Sequence, residues 1–363
     1  RHDDDDWREA PLWHLKNDME EAYCDYIVSC INYLNENGVG LPSGVGFQNE
    51  PQNGNNTPIY SIGQYKTVSK LLRQKLDAAG FNNIPITSPE TVSYVQLYKY
   101  MGGSKNSKAD GDSLFNFDYL TEDSEYADSI GVLCTHSYHE TSAGAKNADI
   151  ANFASQAAKF PQKERWMTEF SGNATSQEAV IKSTNVWDAD MGTALFTMRI
   201  LSGDVGWAGM NRWYYWQGYR SHYTLTPDNA PYTMESGRVS PQTVAFGQPG
   251  QTVHTTKLYD ALRLLFTNVP KGSYVKHADC TDTDFVNESA LRSDILAFET
   301  PEGNTVVMLV NISENAKTVN FSGLTGTKAH ISFVTAESSR VTGIDRSVAD
   351  GTVADINVPA RSI

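Results

Sequence analysis

The chain has 363 residues, 40% of them apolar, and no run approaches the ~20 consecutive apolar residues that a membrane-spanning helix needs. Acidic residues number 43 against 29 basic ones, a formal net charge of −14, which argues against a nucleic-acid or anionic-membrane surface and favours a neutral or cationic ligand. This length can bury a large core and suffices for two domains, or for one large domain with an appendage.

The opening "RHDDDDW" reads as a solvated acidic loop, because its adjacent aspartates lack the spaced ligands of a calcium loop. "MEEAYCDYIVSCINYLNENG" then carries Tyr23, Ile27, Ile31 and Leu34 at helical spacing and ends in Asn-Gly, a helix stop. "VGFQNEP" predicts a short strand. "IGQYKTVSKLLRQKLDAAG" predicts a second helix ending at Gly80, and "IPITSPE" a strand after it. A helix around residues 92–101 precedes the strand "IGVLCTHSY". Helix "AKNADIANFASQAAKF", strand "RWMTEFSG", helix "DADMGTALFTMRIL", strand "VGWAGMNRWYYWQ" and helix "TTKLYDALRLLFTNV" complete the series. Five strands alternating with helices imply parallel pairing through helical crossovers.

Beyond "KGSYVKHAD" the helices stop. "DILAFET", "NTVVMLVNIS", "KTVNFSG" and "HISFVT" are β-rich runs between turn residues, as in a small antiparallel sandwich. The expected division is 1–272 for the α/β part and 273–363 for the β part. The glycines of "GVGLPSGVG" follow a helix, not a strand, and read as loop residues instead of a phosphate cradle. Cys24, Cys30, Cys134 and Cys280 form no CxxC or Cys/His cluster, so no zinc site is expected and disulfide pairing stays open. Sequons at Asn55, Asn173, Asn287, Asn311 and Asn320 would permit glycosylation.

Each predicted strand ends in polar residues that packing does not require: Gln48-Asn49-Glu50, Pro89-Glu90, His136-Ser137-Tyr138, Thr168-Glu169 and Trp213 to Gln217. The C-terminal ends of parallel strands are where a (β/α)8 barrel builds its active site. Two carboxylates facing across a sugar-sized gap are the minimum for glycoside hydrolysis, one protonated and one ionised. Glu50, Glu90 and Glu169 are the candidates. Glu90 also fits a helix-start carboxylate, and His136 fits a hydrogen-bonding structural role. Trp213, Tyr214, Tyr215, Trp216, Tyr219 and Tyr223 offer faces on which sugar rings stack, although half of them would serve packing.

These motifs together resemble glycoside hydrolase clan A, in which "QNEP" and "WMTEFSG" would be the two catalytic strand ends. "IPITSPE", "HSY", "GMNRWYYWQ", "VVMLVNIS" and "NVPARSI" narrow the resemblance to family 30, from about residue 15 to the end of the chain. The resemblance implies a TIM barrel, with only about strands 4–8 present, followed by a β-sandwich side domain. It makes Glu50 the general acid/base and Glu169 the nucleophile of a retaining mechanism. Asn49 would bond the sugar 2-hydroxyl, Tyr138 would hold Glu169, and Trp216 would floor the subsite of cleavage. Glu90, His136, Gln217 and Trp213 would be further site residues. Only one helix precedes Glu50, so the expectation is an N-terminally truncated member with exposed sheet edges, poorly stable and weakly active.

The implied partner is a β-linked polysaccharide or oligosaccharide, with xylan or glucuronoxylan first and β-1,6-glucan, β-1,6-galactan or glucosylceramide behind. No cofactor, metal or nucleic acid is implied. The expected protein is a monomer, secreted because its substrate is polymeric, although no signal peptide is visible. A carbohydrate-binding remnant without turnover is the alternative from another class.

Overall fold

The computed structural model describes residues 15–16, 18–50, 62–97, 117–138, 147–171, 186–216, 218–221, 244–247, 253–281, 286–287, 292–337 and 341–363. Two compact units make up the chain: Arg1–Glu169 with Gly209–Tyr214, and Phe170–Ala208 with Tyr215–Ile363.

In the first unit, helix α1 (Glu20–Glu36) starts with Glu20 and Glu21, where acidic side chains suit the positive end of the helix dipole. It turns at Gly38, whose φ of +78° is open to glycine at little cost. Cys24 and Ile31 are its buried residues, while Leu34 is exposed. Helix α2 (Ile62–Ala78) buries Tyr65, Val68, Leu72 and Leu76, a single stripe at i, i+3, i+7 and i+11. That stripe covers the sheet: Tyr65 lies 4.5 Å from the Phe47 ring and bonds Ser88 at 2.8 Å.

Strand β1 (Thr87–Thr91) follows, then short helices α3 (Asp118–Glu122) and α4 (Ser124–Ser129), strand β2 (Val132–Thr135), helix α5 (Asn147–Ala157) and strand β3 (Glu164–Phe170). Helix α6 (Val186–Gly206) leads to strand β4 (Arg212–Tyr215). Spatial order repeats chain order, β1-β2-β3-β4, and β1, β2 and β3 pair in parallel. The Asn211 amide donates to Arg165 and that of Trp216 to Phe170, so β4 also runs parallel. All of the four-residue β2 is buried, as expected for a parallel strand covered on both faces.

The segment at Val45 differs from a regular strand. Val45 makes one parallel bridge to Ile86, its amide donating to Pro85 at 3.0 Å and its carbonyl accepting from Thr87 at 2.9 Å. The Glu50 amide then donates to the Glu90 carbonyl at 3.0 Å. Five strand-like segments therefore run side by side, the first joined through Val45 and Glu50. Gly44 and Gly46 flank the Val45 bridge and lie in no strand, as expected of loop residues, but both are tightly packed. A Cβ on Gly44 would meet the Trp166 ring at 2.8 Å, and one on Gly46 would meet Thr87 Oγ1 at 2.9 Å. The helix expected at 92–101 is reduced to a 3-10 turn, Tyr94–Leu97, with 98–101 outside the described residues.

In the second unit, helix α7 (Lys257–Asn268) buries Leu258, Ala261, Leu262 and Leu265, and Thr256 caps it by accepting from the Tyr259 amide. Between β4 and α7 lie the short strands β5 (Tyr219–Ser221), β6 (Ala245–Gly247) and β7 (His254–Thr255). The tail holds β8 (Tyr274–Lys276), β9 (Val286–Asn287), β10 (Arg292–Ser293), β11 (Ile295–Glu299), β12 (Thr305–Leu309), β13 (Lys317–Phe321), β14 (Lys328–Phe333), β15 (Val341–Ser347) and β16 (Val353–Val358). All pairings among them are antiparallel. The pairs β13–β16 and β14–β15 share one apolar core around Phe333, Val353, Ile356 and Val358. Half-buried Arg199 and buried Asp294, 2.7 Å apart, tie α6 to the start of β11. Asn311 is buried with its side chain donating to Asn315 and Pro359, so its sequon is closed to a glycan. The four cysteines form no disulfide.

Gly44→Ala is expected to lower the unfolding free energy by about 1–3 kcal/mol, the range for overpacking a tight site. Urea denaturation followed by Trp fluorescence would measure it.

Candidate active site

The strand ends of the first unit bring four titratable side chains together. One ligand atom from each of Glu50, His136 and Glu169 lies within 4.8 Å of the other two. His136 directs Nδ1 to Glu50 Oε1 at 2.9 Å and Nε2 toward Glu90 Oε2 at 3.7 Å. Tyr138 donates its hydroxyl to Glu169 Oε1 at 3.0 Å. The His136 and Tyr138 rings meet edge-on at 6.1 Å.

Local backbone geometry makes this possible. Glu50 and Glu90 both adopt left-handed φ, +42° and +59°. Outside glycine such a conformation costs roughly 1–3 kcal/mol and persists where the surroundings enforce it. At Glu90 it coincides with a register shift between Pro89 and Thr91, which breaks strand alternation. Thr87 and Glu90, three apart on β1, thereby face one another, and Thr87 Oγ1 donates to Glu90 Oε1 at 2.6 Å. Thr168 of β3 donates to the other oxygen, Oε2. Glycine at 46 leaves the room these groups occupy.

The electrostatics follow from burial and pairing. Only 1% of the His136 side chain is exposed. Burial works against its charge, but the hydrogen bond to Glu50, the ion pair with Glu90 and the field of Glu169 outweigh it and raise its pKa to about 9. Burial likewise opposes ionisation of Glu90, yet the pairing with His136 and hydrogen bonds from Thr168 and Thr87 hold its carboxyl below the usual carboxylate range. At neutral pH the core of the site is an imidazolium paired with a carboxylate. That state does not suit a metal, because a protonated ring already directed at Glu50 and Glu90 has no free lone pair to offer.

The remaining sequence candidates are distributed as follows. Asn49 is exposed beside Glu50. Trp213 is half-buried on β4, and Trp216, 52% exposed, follows that strand. Gln217 lies outside the described residues. Sequence reasoning missed Thr87 and Thr168 as the residues holding Glu90. It also missed Gln48, a buried amide whose oxygen and nitrogen have no hydrogen-bond partner among the described residues. Such an amide is suited to binding a water or ligand group.

No protein-family model matches the chain, and no curated protein matches it. Solved structures do. A conserved exported protein from Bacteroides fragilis superposes with a TM-score of 0.71 at 13% identity, over 96% of this chain and 69% of that one. A GH30 endoxylanase from Clostridium papyrosolvens C71 gives 0.63 at 16%, over 97% and 71%. An endo-β-1,6-glucanase gives 0.59 at 19%, over 97% and 64%. At these identities the likeness is one of fold: an α/β architecture with a parallel sheet, shared with glycoside hydrolases. Among the described residues no helix is long and apolar enough to cross a membrane.

The raised pKa of His136 has a stability consequence. The folded state holds this proton up to about pH 9, the unfolded chain only to its ordinary 6.5. The contribution is therefore complete below about pH 6.5 and lost as pH rises through 9. The thermal midpoint is expected to fall over that window, and His136→Gln to flatten that part of the curve, as differential scanning fluorimetry would record.

Proposed function

We propose that this protein is a retaining glycoside hydrolase acting on β-linked polysaccharide, of the family 30 kind. The observation that carries the reading is the convergence of the Glu50 and Glu169 side chains from strand ends that β1 and β2 separate. Oxygens within 4.8 Å of each other suit double displacement, in which the carboxyl groups sit ~5 Å apart, and not inversion, which needs a wider gap for water. In this reading the barrel is the (β/α)8 type with about strands 4–8 in this chain. Residues 1–272 are its catalytic part and 273–363 a β-sandwich.

Glu169 attacks the anomeric carbon while Glu50 gives its proton to the departing glycosidic oxygen. Water then attacks the glycosyl-enzyme, its proton passing to Glu50 as the bond to Glu169 breaks. Tyr138, bonded to Glu169 Oε1, holds the nucleophile in position. Asn49 bonds the 2-hydroxyl, and Trp216, Trp213 and Gln217 supply sugar contacts. An endo-acting xylanase is favoured, with β-1,6-glucan next. Neighbours of both kinds support these two as the leading candidates, and a polymeric substrate supports secretion.

The test is a panel of xylan, glucuronoxylan, β-1,6-glucan, β-1,6-galactan and aryl β-glycosides, with product anomers followed by NMR. Retention of configuration that Glu169→Ala abolishes is expected. Inverted product, or sugar binding without turnover, would sink the reading, the latter in favour of a binding module. Glu50→Ala is expected to cost about 10²–10⁴-fold in kcat/KM on substrates with poor leaving groups. Tyr138→Phe, which removes a hydrogen bond to a charged group, is expected to cost roughly 10- to 100-fold in kcat/KM with the fold intact.

A further inference from the structure

Double displacement needs two carboxyl groups, yet the site contains a third, and an imidazole between them. Glu90 is not spare surface charge. Both of its oxygens are engaged, by Thr87 and by Thr168, and the edge of the His136 ring faces it at 3.7 Å. A buried carboxylate is costly unless it compensates another charge. The charge it compensates is His136, whose other nitrogen reaches Glu50 at 2.9 Å. The three residues come from three elements: the segment after Val45, the end of β1 and the end of β2.

We propose that Glu90, His136 and Glu50 form a charge relay, in which ionised Glu90 keeps His136 as an imidazolium and the imidazolium orients Glu50 and stabilises its carboxylate form. The proposal rests on the reading of Glu50 as acid/base, and it assigns Glu90 and His136 as positioning residues that do not touch the sugar. Among the described residues, the titratable groups facing His136 are Glu50, Glu90 at the end of β1, Glu169 at the end of β3, and Tyr138, whose ring meets it edge-on. Cys134 of β2 faces Glu90.

The chemical consequence is directional. When Glu50 hands its proton to the glycosidic oxygen, negative charge develops on Glu50 Oε1 and Oε2 as the carbon–oxygen bond breaks. An imidazolium donating to Oε1 meets that charge with no reorganisation. The relay makes Glu50 a better donor to difficult leaving groups, and it lowers the pH at which Glu50 ceases to be an acid.

The first measurement needs no turnover: imidazole NMR shifts of His136 across pH 5–10 in the unaltered protein and in Glu90→Gln. A charged ring at pH 7 that becomes neutral there in Glu90→Gln is expected. A ring already neutral at pH 7 in the unaltered protein overturns the relay, whether or not the protein is an enzyme. The second measurement compares pH profiles of kcat/KM for the unaltered protein, Glu90→Gln and His136→Gln. Two aryl β-glycosides are used, one with a dinitrophenolate and one with a poor leaving group. The alkaline limb is expected to move up by about one pH unit in both variants. The loss should be about tenfold on the poor leaving group and under about threefold on the good one, with KM little changed. Unmoved limbs with equal losses on both substrates mean a structural role and overturn the proposal. If the unaltered protein turns over no glycoside, the enzymatic reading fails instead, and the NMR titration alone decides the relay.

Discussion

A single buried ring, His136, governs the geometry of the strand ends. With 1% of its side chain exposed it can carry a charge only if carboxylates approach both of its nitrogens. Glu50 and Glu90 do so from different elements. Meeting that requirement fixes the distance between the segment after Val45 and the end of β1, and the main-chain bond from Glu50 to Glu90 closes the same gap. Glu90 in turn demands partners for its own oxygens, which Thr87 and Thr168 provide, so β1 and β3 are drawn into the arrangement. Glu169 stands next to Thr168 and is oriented by Tyr138. Satisfying one buried charge thus locates every carboxylate in the cluster.

The sheet beneath is built to hold these ends still. The apolar stripe of α2 covers Phe47 and Ser88, and Trp166 fills the space opposite Gly44. Arg212 stacks on Trp166 at 4.3 Å while the indole donates to Glu164 at 2.7 Å, so the opposite end of β3 is pinned by a polar clasp. Chemistry at one end and bracing at the other is the usual division in parallel α/β sheets, where side chains at the carboxyl ends are spared from packing.

Much of this was legible in the sequence. Helices of two or more turns and buried parallel strands announced themselves through periodicity, and the glutamates at 50 and 169 stood where a packing argument had no use for them. The role of Thr87 was not legible, because ordinary strand alternation points residues 87 and 90 to opposite faces. Only the left-handed φ of Glu90 and the shifted register reverse that, and neither is written in side-chain chemistry. Gly44 and Gly46 are loop residues as their place after a helix suggested, but their tight packing was not legible: a Cβ there would crowd the Trp166 ring and the Thr87 hydroxyl. The short helices Asp118–Glu122 and Ser124–Ser129 fall below the length at which periodicity can be counted.

The left-handed backbone at Glu50 sets stability against activity. A φ of +42° suits glycine or asparagine better than glutamate. Replacement by either would relax the main chain even as it removed the carboxylate that partners His136. A selection that scored folding alone would feel a local pull away from glutamate at this position, opposed by the loss of that ion pair. Retaining a glutamate there costs conformational energy that the chain recovers only through what the carboxylate does, the trade-off common to positions kept for function instead of for the fold.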